Sequence, residues 1–208
     1  VSIVGTSKNA GKTVTLNEII NQAHEKGIRV GLISTGRDGE SWDVLSNTEK
    51  PPVYVRRGTI LTTVESAIKG EHADLEIFRV TDYNTPLGRV IIGRTVDDGF
   101  VEISGPQSSL TIKKMCTEMQ ELGAELILID GSLDRRASAA PYVSDGTVLA
   151  TGAALARSIR GVVERTMHIV NTYSVPAAED EHVRDIAYSA VDMGKTALID
   201  LDGSVKYI

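Results

Sequence analysis

The sequence predicts an α/β protein of three layers, built on a mostly parallel, doubly wound sheet with one small β-hairpin inserted. Three observations carry that expectation. Short aliphatic runs alternate with stretches of helical period, the rhythm of a sheet covered by helices on both faces. A glycine-rich turn stands between the first apolar run and the first helix, and a later run, 126–130, ends in the carboxylate of Asp130. At 208 residues the chain has the length of about one domain. No repeat, low-complexity tract or Pro/Ser linker marks a second, so 1–208 is expected as a single domain with the hairpin at 88–104.

The elements follow in order. Residues 1–4 form a clipped apolar run ending at Gly5. Leu16, Ile19, Ile20 and Ala23 recur at i, i+3, i+4 and i+7, one face of a helix that stops at Gly27. The run 28–34 reads as a buried strand and leads into Thr35-Gly36-Arg37-Asp38-Gly39-Glu40. After Pro51 and Pro52 come an extended stretch, 53–55, and a helix over about 59–69. Run 75–80 is a strand. Segments 88–95 and 100–104 flank Val96-Asp97-Asp98-Gly99, whose last two residues suit the positive-φ positions of a tight hairpin turn.

Ile112, Met115, Cys116, Met119 and Leu122 share a face of the next helix, which ends at Gly123; the thiol is expected there as a small buried hydrophobe. Further strands are expected at 125–130, 147–151 and 168–170, the last two bridged by a helix carrying Leu155, Ile159, Val162 and Val163. A final helix over about 179–193 precedes apolar stretches at 197–201 and 205–208.

Composition narrows the function classes. Lys plus Arg number 22 and Asp plus Glu 28, a net charge of −6 that argues against a dedicated nucleic-acid or anionic-membrane binder. Aromatic residues make up only 4%, so Val, Ile, Leu and Ala must build the core. The single Cys116 leaves no disulfide within the chain, which fits a reducing compartment. No apolar run approaches the roughly 18 residues of a membrane span, and no secretory leader opens the sequence. A cytoplasmic protein is expected.

Gly5-Thr6-Ser7-Lys8-Asn9-Ala10-Gly11-Lys12-Thr13 matches G-x-x-x-x-G-K-[ST] in full. Phosphates need inward-facing backbone N–H groups, a positive helix end, a mobile cation and a hydroxyl for Mg²⁺, and this run offers all four. Lys8, Asn9, Ala10, Gly11, Lys12, Thr13 and Val14 are the expected phosphate-facing set. Lys12 reaches the β- and γ-phosphates as the catalytic cation, and Thr13 holds the metal. Lys8 is equally readable as a solvated charge.

Asp130, at the end of a buried strand, is expected to hold Mg²⁺ or its water; capping the next turn is its other reading. Asp38, beyond the second strand, is a candidate both for polarising the attacking group and for Mg²⁺, with Glu40 beside it; a solvated loop is the alternative. Asn171, at the end of the expected strand 168–170, resembles the base contact of dethiobiotin synthetase-like proteins, which makes it a candidate contact to the base. Arg135 and Arg136 stand on the ligand side, where they hold an anion or simply face solvent. The four histidines show no metal-ligand spacing, and no G-x-S-x-G or H-E-x-x-H is present.

Together the complete loop motif, the Asp after the second strand and the apolar run ending in Asp130 resemble the branch of P-loop NTPases that includes the MinD, nitrogenase iron protein and dethiobiotin synthetase families. The resemblance implies ATP with Mg²⁺ as cofactors, ATP over GTP because Asn171 stands without the rest of N-K-x-D. It also implies a homodimer as one arrangement, although the signature lysine of the MinD type falls where this chain has Ser7, one place before Lys8. More narrowly, residues 5–16 (GTSKNAGKTVTL), 129–138 (IDGSLDRRAS) and 149–152 resemble the small ATPase subunit of the reactivase for lysine 5,6-aminomutase. That likeness implies a larger MutS-like ATPase subunit and an adenosylcobalamin enzyme as partners. Three functions stand as expectations: a partner-dependent ATPase switch or chaperone, a small-molecule kinase or ligase of dethiobiotin synthetase type, and a non-catalytic nucleotide-binding module.

Overall fold

The structure is a computed structural model that describes residues 1–35, 42–43, 48–49, 53–69, 73–85, 88–131, 143–176, 178–200 and 202–207. The chain falls into two compact units, Val1–Thr166 and Met167–Ile208.

The first unit is built on a seven-stranded sheet in the order β11-β1-β10-β2-β6-β8-β7. Its five parallel members are β1 (Ser2–Gly5), β2 (Val30–Ser34), β6 (Ile60–Val64), β10 (Leu126–Asp130) and β11 (Thr147–Ala150). β7 (Leu75–Thr85) and β8 (Gly88–Thr95) extend it as an antiparallel hairpin, β8 pairing with β6. Short backbone pairs join β3 (Trp42–Asp43) to β4 (Thr48–Glu49) and β5 (Val53–Val55) to β9 (Gly99–Val101).

The central strands carry Val, Ile and Leu towards both faces because both faces are covered. On one face Leu16, Ile20 and Ala23 of α1 (Lys12–Glu25) meet Ile3, Leu32, Leu61 and Leu128, with Val53, Val55 and Val101 of the β5–β9 ribbon beside them. On the other, Ile112, Met115 and Met119 of α2 (Ser109–Glu121) meet Ile33, Ile60, Val90, Ile127 and Ile129. Neighbouring residues of one strand thus serve opposite layers, as the two-residue period of a strand requires. An α/β fold on a mostly parallel central sheet is the one expected.

β2 and β6 are paired only at Gly31–Ile60 and Leu32–Leu61. Beyond that, the segment after β9 packs against both: Ser104 N–H donates to the Thr62 carbonyl at 3.0 Å, and Thr62 Oγ1 donates to the Ser104 carbonyl at 2.6 Å. Gly105 then lies directly on the Ser34 carbonyl, where any Cβ would collide with it.

Three expectations are corrected here. Ile60–Val64 is a buried strand, followed by a 3-10 turn over Glu65–Lys69, and not the start of a helix over 59–69. Its pairing with β2 and β8 and its burial on both sides outweigh local propensity. Segments 88–95 and 100–104 do not pair with each other as an inserted hairpin; β8 lies within the central sheet, and β9 pairs with β5. Asp97 and Asp98 explain this, because their Oδ1 atoms accept from the Asp74 and Arg57 backbone N–H groups at 2.8 Å and tie the turn to neighbouring segments. Residues 168–170 are helical, within α3 (Ile159–Tyr173), which runs across the division between the units.

In the second unit α4 (Glu181–Asp192) starts at Asp180, whose Oδ1 accepts from the His182 N–H at 2.8 Å. The hairpin of β12 (Ala197–Ile199) and β13 (Val205–Tyr207) follows.

Candidate nucleotide-binding site

The site is assembled where the parallel strands end, at their carboxyl edge. β1 finishes at Gly5 opposite Ala150 of β11, and the Thr6 N–H still donates to the Ala150 carbonyl at 2.8 Å. The chain then leaves the sheet through 6–11 and re-enters as α1. Asn9 and Gly11 take positive φ values of 60° and 89°. A Cβ on Gly11 would meet nothing within 4 Å, so the left-handed backbone, and not lack of space, calls for glycine there.

The Gly11 carbonyl accepts the Thr15 N–H at 2.9 Å and Thr15 Oγ1 at 3.1 Å. No side chain among the described residues caps this helix start. The amides of Lys12, Thr13 and Val14 therefore have no acceptor within the helix and supply the positive end of its dipole.

Lys12 crosses from the first turn of α1 to the end of β10, where its Nζ stands 2.7 Å from Asp130 Oδ1; the two side chains are 19% and 4% exposed. Register puts Asp130 there, opposite Ile3 of β1 and Ser34 of β2. Its carbonyl accepts the Thr35 N–H at 3.0 Å. The motif lysine and the strand-end carboxylate, 118 positions apart in the chain, are thus in direct contact.

The other expected residues of the loop differ in exposure. Thr13 is buried at the base of the helix, Ala10 and Gly11 are half-buried, and Lys8, Asn9 and Val14 are exposed. Ser7 Oγ is buried with no hydrogen-bond partner among the described residues. An orphaned hydroxyl inside an amide-rich turn is a group that a bound oxyanion would satisfy. No three His, Cys, Asp or Glu side chains form a metal cluster among the described residues. Mg²⁺ seldom relies on such a cage, since one or two protein oxygens plus phosphates and waters suffice, and the Thr13 hydroxyl and Asp130 carboxylate fit that donor set.

Asp38, Glu40, Arg135 and Arg136 lie outside the described residues. Asn171 is exposed on α3, within a helix rather than at a strand end, so the position that made it a candidate base contact is not the one it occupies. Sequence reasoning missed a run of hydroxyls behind the loop. Thr6 Oγ1 donates to Thr151 Oγ1 at 3.2 Å, and Thr151 Oγ1 lies 2.9 Å from Thr166 Oγ1. These threonines are 145 and 15 residues apart, and no local pattern links them.

The chain matches no protein-family model, no curated protein and no solved structure. No helix among the described residues is long and apolar enough to cross a membrane.

Proposed function

We propose that the chain binds ATP with Mg²⁺ at residues 5–13 and hydrolyses it as a partner-dependent switch. The observation that carries this is the 2.7 Å contact between Lys12 Nζ and Asp130 Oδ1 beside an uncapped helix start. Amides, ammonium and a carboxylate converge there, and each suits one part of a magnesium triphosphate. The backbone N–H groups bind phosphate oxygens, and Lys12 neutralises charge that spreads onto the γ-phosphoryl oxygens. Thr13 and Asp130 would hold Mg²⁺, directly or through water, and the metal would supply positive charge against the phosphates.

A switch fits the position of this pair. The ends of β2 and β10 lie side by side, Ser34 opposite Asp130. Exchange of the Lys12–Asp130 contact for contacts to a nucleotide would be felt at both strand ends, as a switch requires. A larger ATPase subunit acting with an adenosylcobalamin enzyme is the partner that the narrower resemblance implies.

Calorimetric titration with ATP·Mg²⁺ tests the binding, and phosphate release with and without protein partners captured on a non-hydrolysable ATP analogue tests the switch. Lys12→Ala is expected to abolish turnover, and Asp130→Asn to weaken the Mg²⁺ dependence of binding. A wild-type chain that takes up no ATP, or turnover that ignores every partner yet rises with one metabolite, rejects the proposal.

A further inference from the structure

Past β11 a wide-open cavity of about 680 Å³ lies on the surface between the turn that follows the strand and the first two turns of α3. The size is that of a small-molecule site. Its near wall is Ala153, Ala154 and Leu155, and its far wall carries Arg157, Glu164 and Arg165. The turn that leads into it adjoins the loop already described: Gly152, the residue before the cavity lining, lies against Ala10, where an added Cβ would stand 4.0 Å from the Ala10 Cα. Thr151, one residue earlier, is hydrogen-bonded to Thr6.

We infer that this cavity receives the nucleoside end of the nucleotide, an inference that rests on residues 5–13 holding the phosphates. The direction follows from the sheet order. β1 lies between β10 and β11. Lys12 leans towards β10, where Asp130 stands, so the terminal phosphate and its cation belong on that side. A triphosphate lying across the loop amides then leaves its nucleoside on the opposite side, over β11, and the cavity is lined by the residues that follow that strand.

The walls suit a flat heteroaromatic ring joined to an anion. The lining is more polar than apolar, and Ala153, Ala154 and Leu155 offer its apolar part. Glu164 is paired with Arg160 at 2.8 Å, which leaves the guanidinium groups of Arg157 and Arg165 to set the charge of the lining. Arg165 is already oriented, its Nη1 donating to the Leu155 carbonyl at 2.9 Å. A planar guanidinium stacks on a base and attracts the phosphate next to the ribose.

The test compares two ligands that share the phosphates and differ in the nucleoside: ATP·Mg²⁺ and inorganic tripolyphosphate·Mg²⁺, titrated calorimetrically into the wild-type chain, Ala154→Trp and Arg165→Ala. Ala154 is exposed, so the tryptophan fills the cavity without entering the core. The wild type is expected to prefer ATP by about tenfold or more, the scale of one stacked base, and each variant to lose most of that preference. Equal affinity of the wild type for both ligands, or a preference that survives both substitutions, overturns the cavity assignment while leaving the phosphate site standing. Binding of neither ligand overturns both.

Discussion

Lys12→Ala removes the ammonium that stands 2.7 Å from Asp130 and leaves a carboxylate only 4% exposed without that counter-ion. Breaking a fully buried pair from one side costs about 3–5 kcal/mol, because the surviving charge stays desolvated. Lys12 keeps 19% of its side chain in solvent, and water screens the pair to that extent. The expected cost is therefore about 2–3 kcal/mol, a drop in Tm of roughly 4–12 °C for a chain of this size. Asp130→Asn keeps the shape, removes the buried charge and lets the lysine turn outward, for about 1 kcal/mol. The double variant Lys12→Ala/Asp130→Asn buries no charge, so it should be more stable than Lys12→Ala alone by about 1–2 kcal/mol. Urea unfolding at pH 7, followed by far-ultraviolet circular dichroism, measures all four corners of the cycle. A cost below about 0.5 kcal/mol for Lys12→Ala, or a double variant less stable than that single one, refutes the pair as a structural contact.

Gly105→Ala drives a methyl group into the Ser34 carbonyl, a backbone atom that cannot swing aside; a loss of about 3 kcal/mol or more in urea unfolding is expected, and wild-type stability would show that the two segments are not in contact. Burial pushes the Cys116 thiol up to about 11, so native alkylation by iodoacetamide at pH 8 should run on the order of a hundredfold slower than that of free cysteine. Urea should abolish the difference, whereas fast labelling of the native chain would place the thiol outside the core. Burial, and after it Arg56, hold the His24 imidazole below its ordinary 6.5. The folded chain then binds fewer protons than the unfolded one, so this contribution is complete above about 6.5 and is lost as pH falls through the lowered value. An NMR titration that puts His24 at or above 6.5, or a His24→Gln variant with an unchanged acid limb, contradicts it.

Part of the candidate site's layout was legible because its parts are local. The glycine-framed loop, the helix after it and the apolar run ending in Asp130 are contiguous patterns, and the structure brings the expected lysine and carboxylate together. The closures at Gly27, Gly123 and Gly194 were legible for the same reason. In each, the residue after the glycine bonds back to a carbonyl of the last turn: Ile28 to Ala23, Ala124 to Met119 and Lys195 to Ala190. Ile60-Leu61-Thr62-Thr63-Val64 misled because a strand buried on both faces shows no alternation. Ile60, Leu61, Val64 and Ile68 then imitate helical spacing. At 168–170 the fault ran the other way. The β-branched Ile169 and Val170 read as a strand, yet they continue the spacing of Ile159, Val162 and Val163 and form one helix with them. The partners of β8 and β9 depend on contacts between distant segments, which no turn signal encodes.

The contact between Lys12 and Asp130 also bears on the order in which charges assemble at the end of β10. Each group is the other's counter-ion, so an anion that draws the ammonium away exposes a desolvated negative charge next to itself. A divalent ion arriving with that anion restores neutrality. Metal and oxyanion should accordingly enter as a matched couple, each raising the affinity of the other by the same factor, as thermodynamic reciprocity demands.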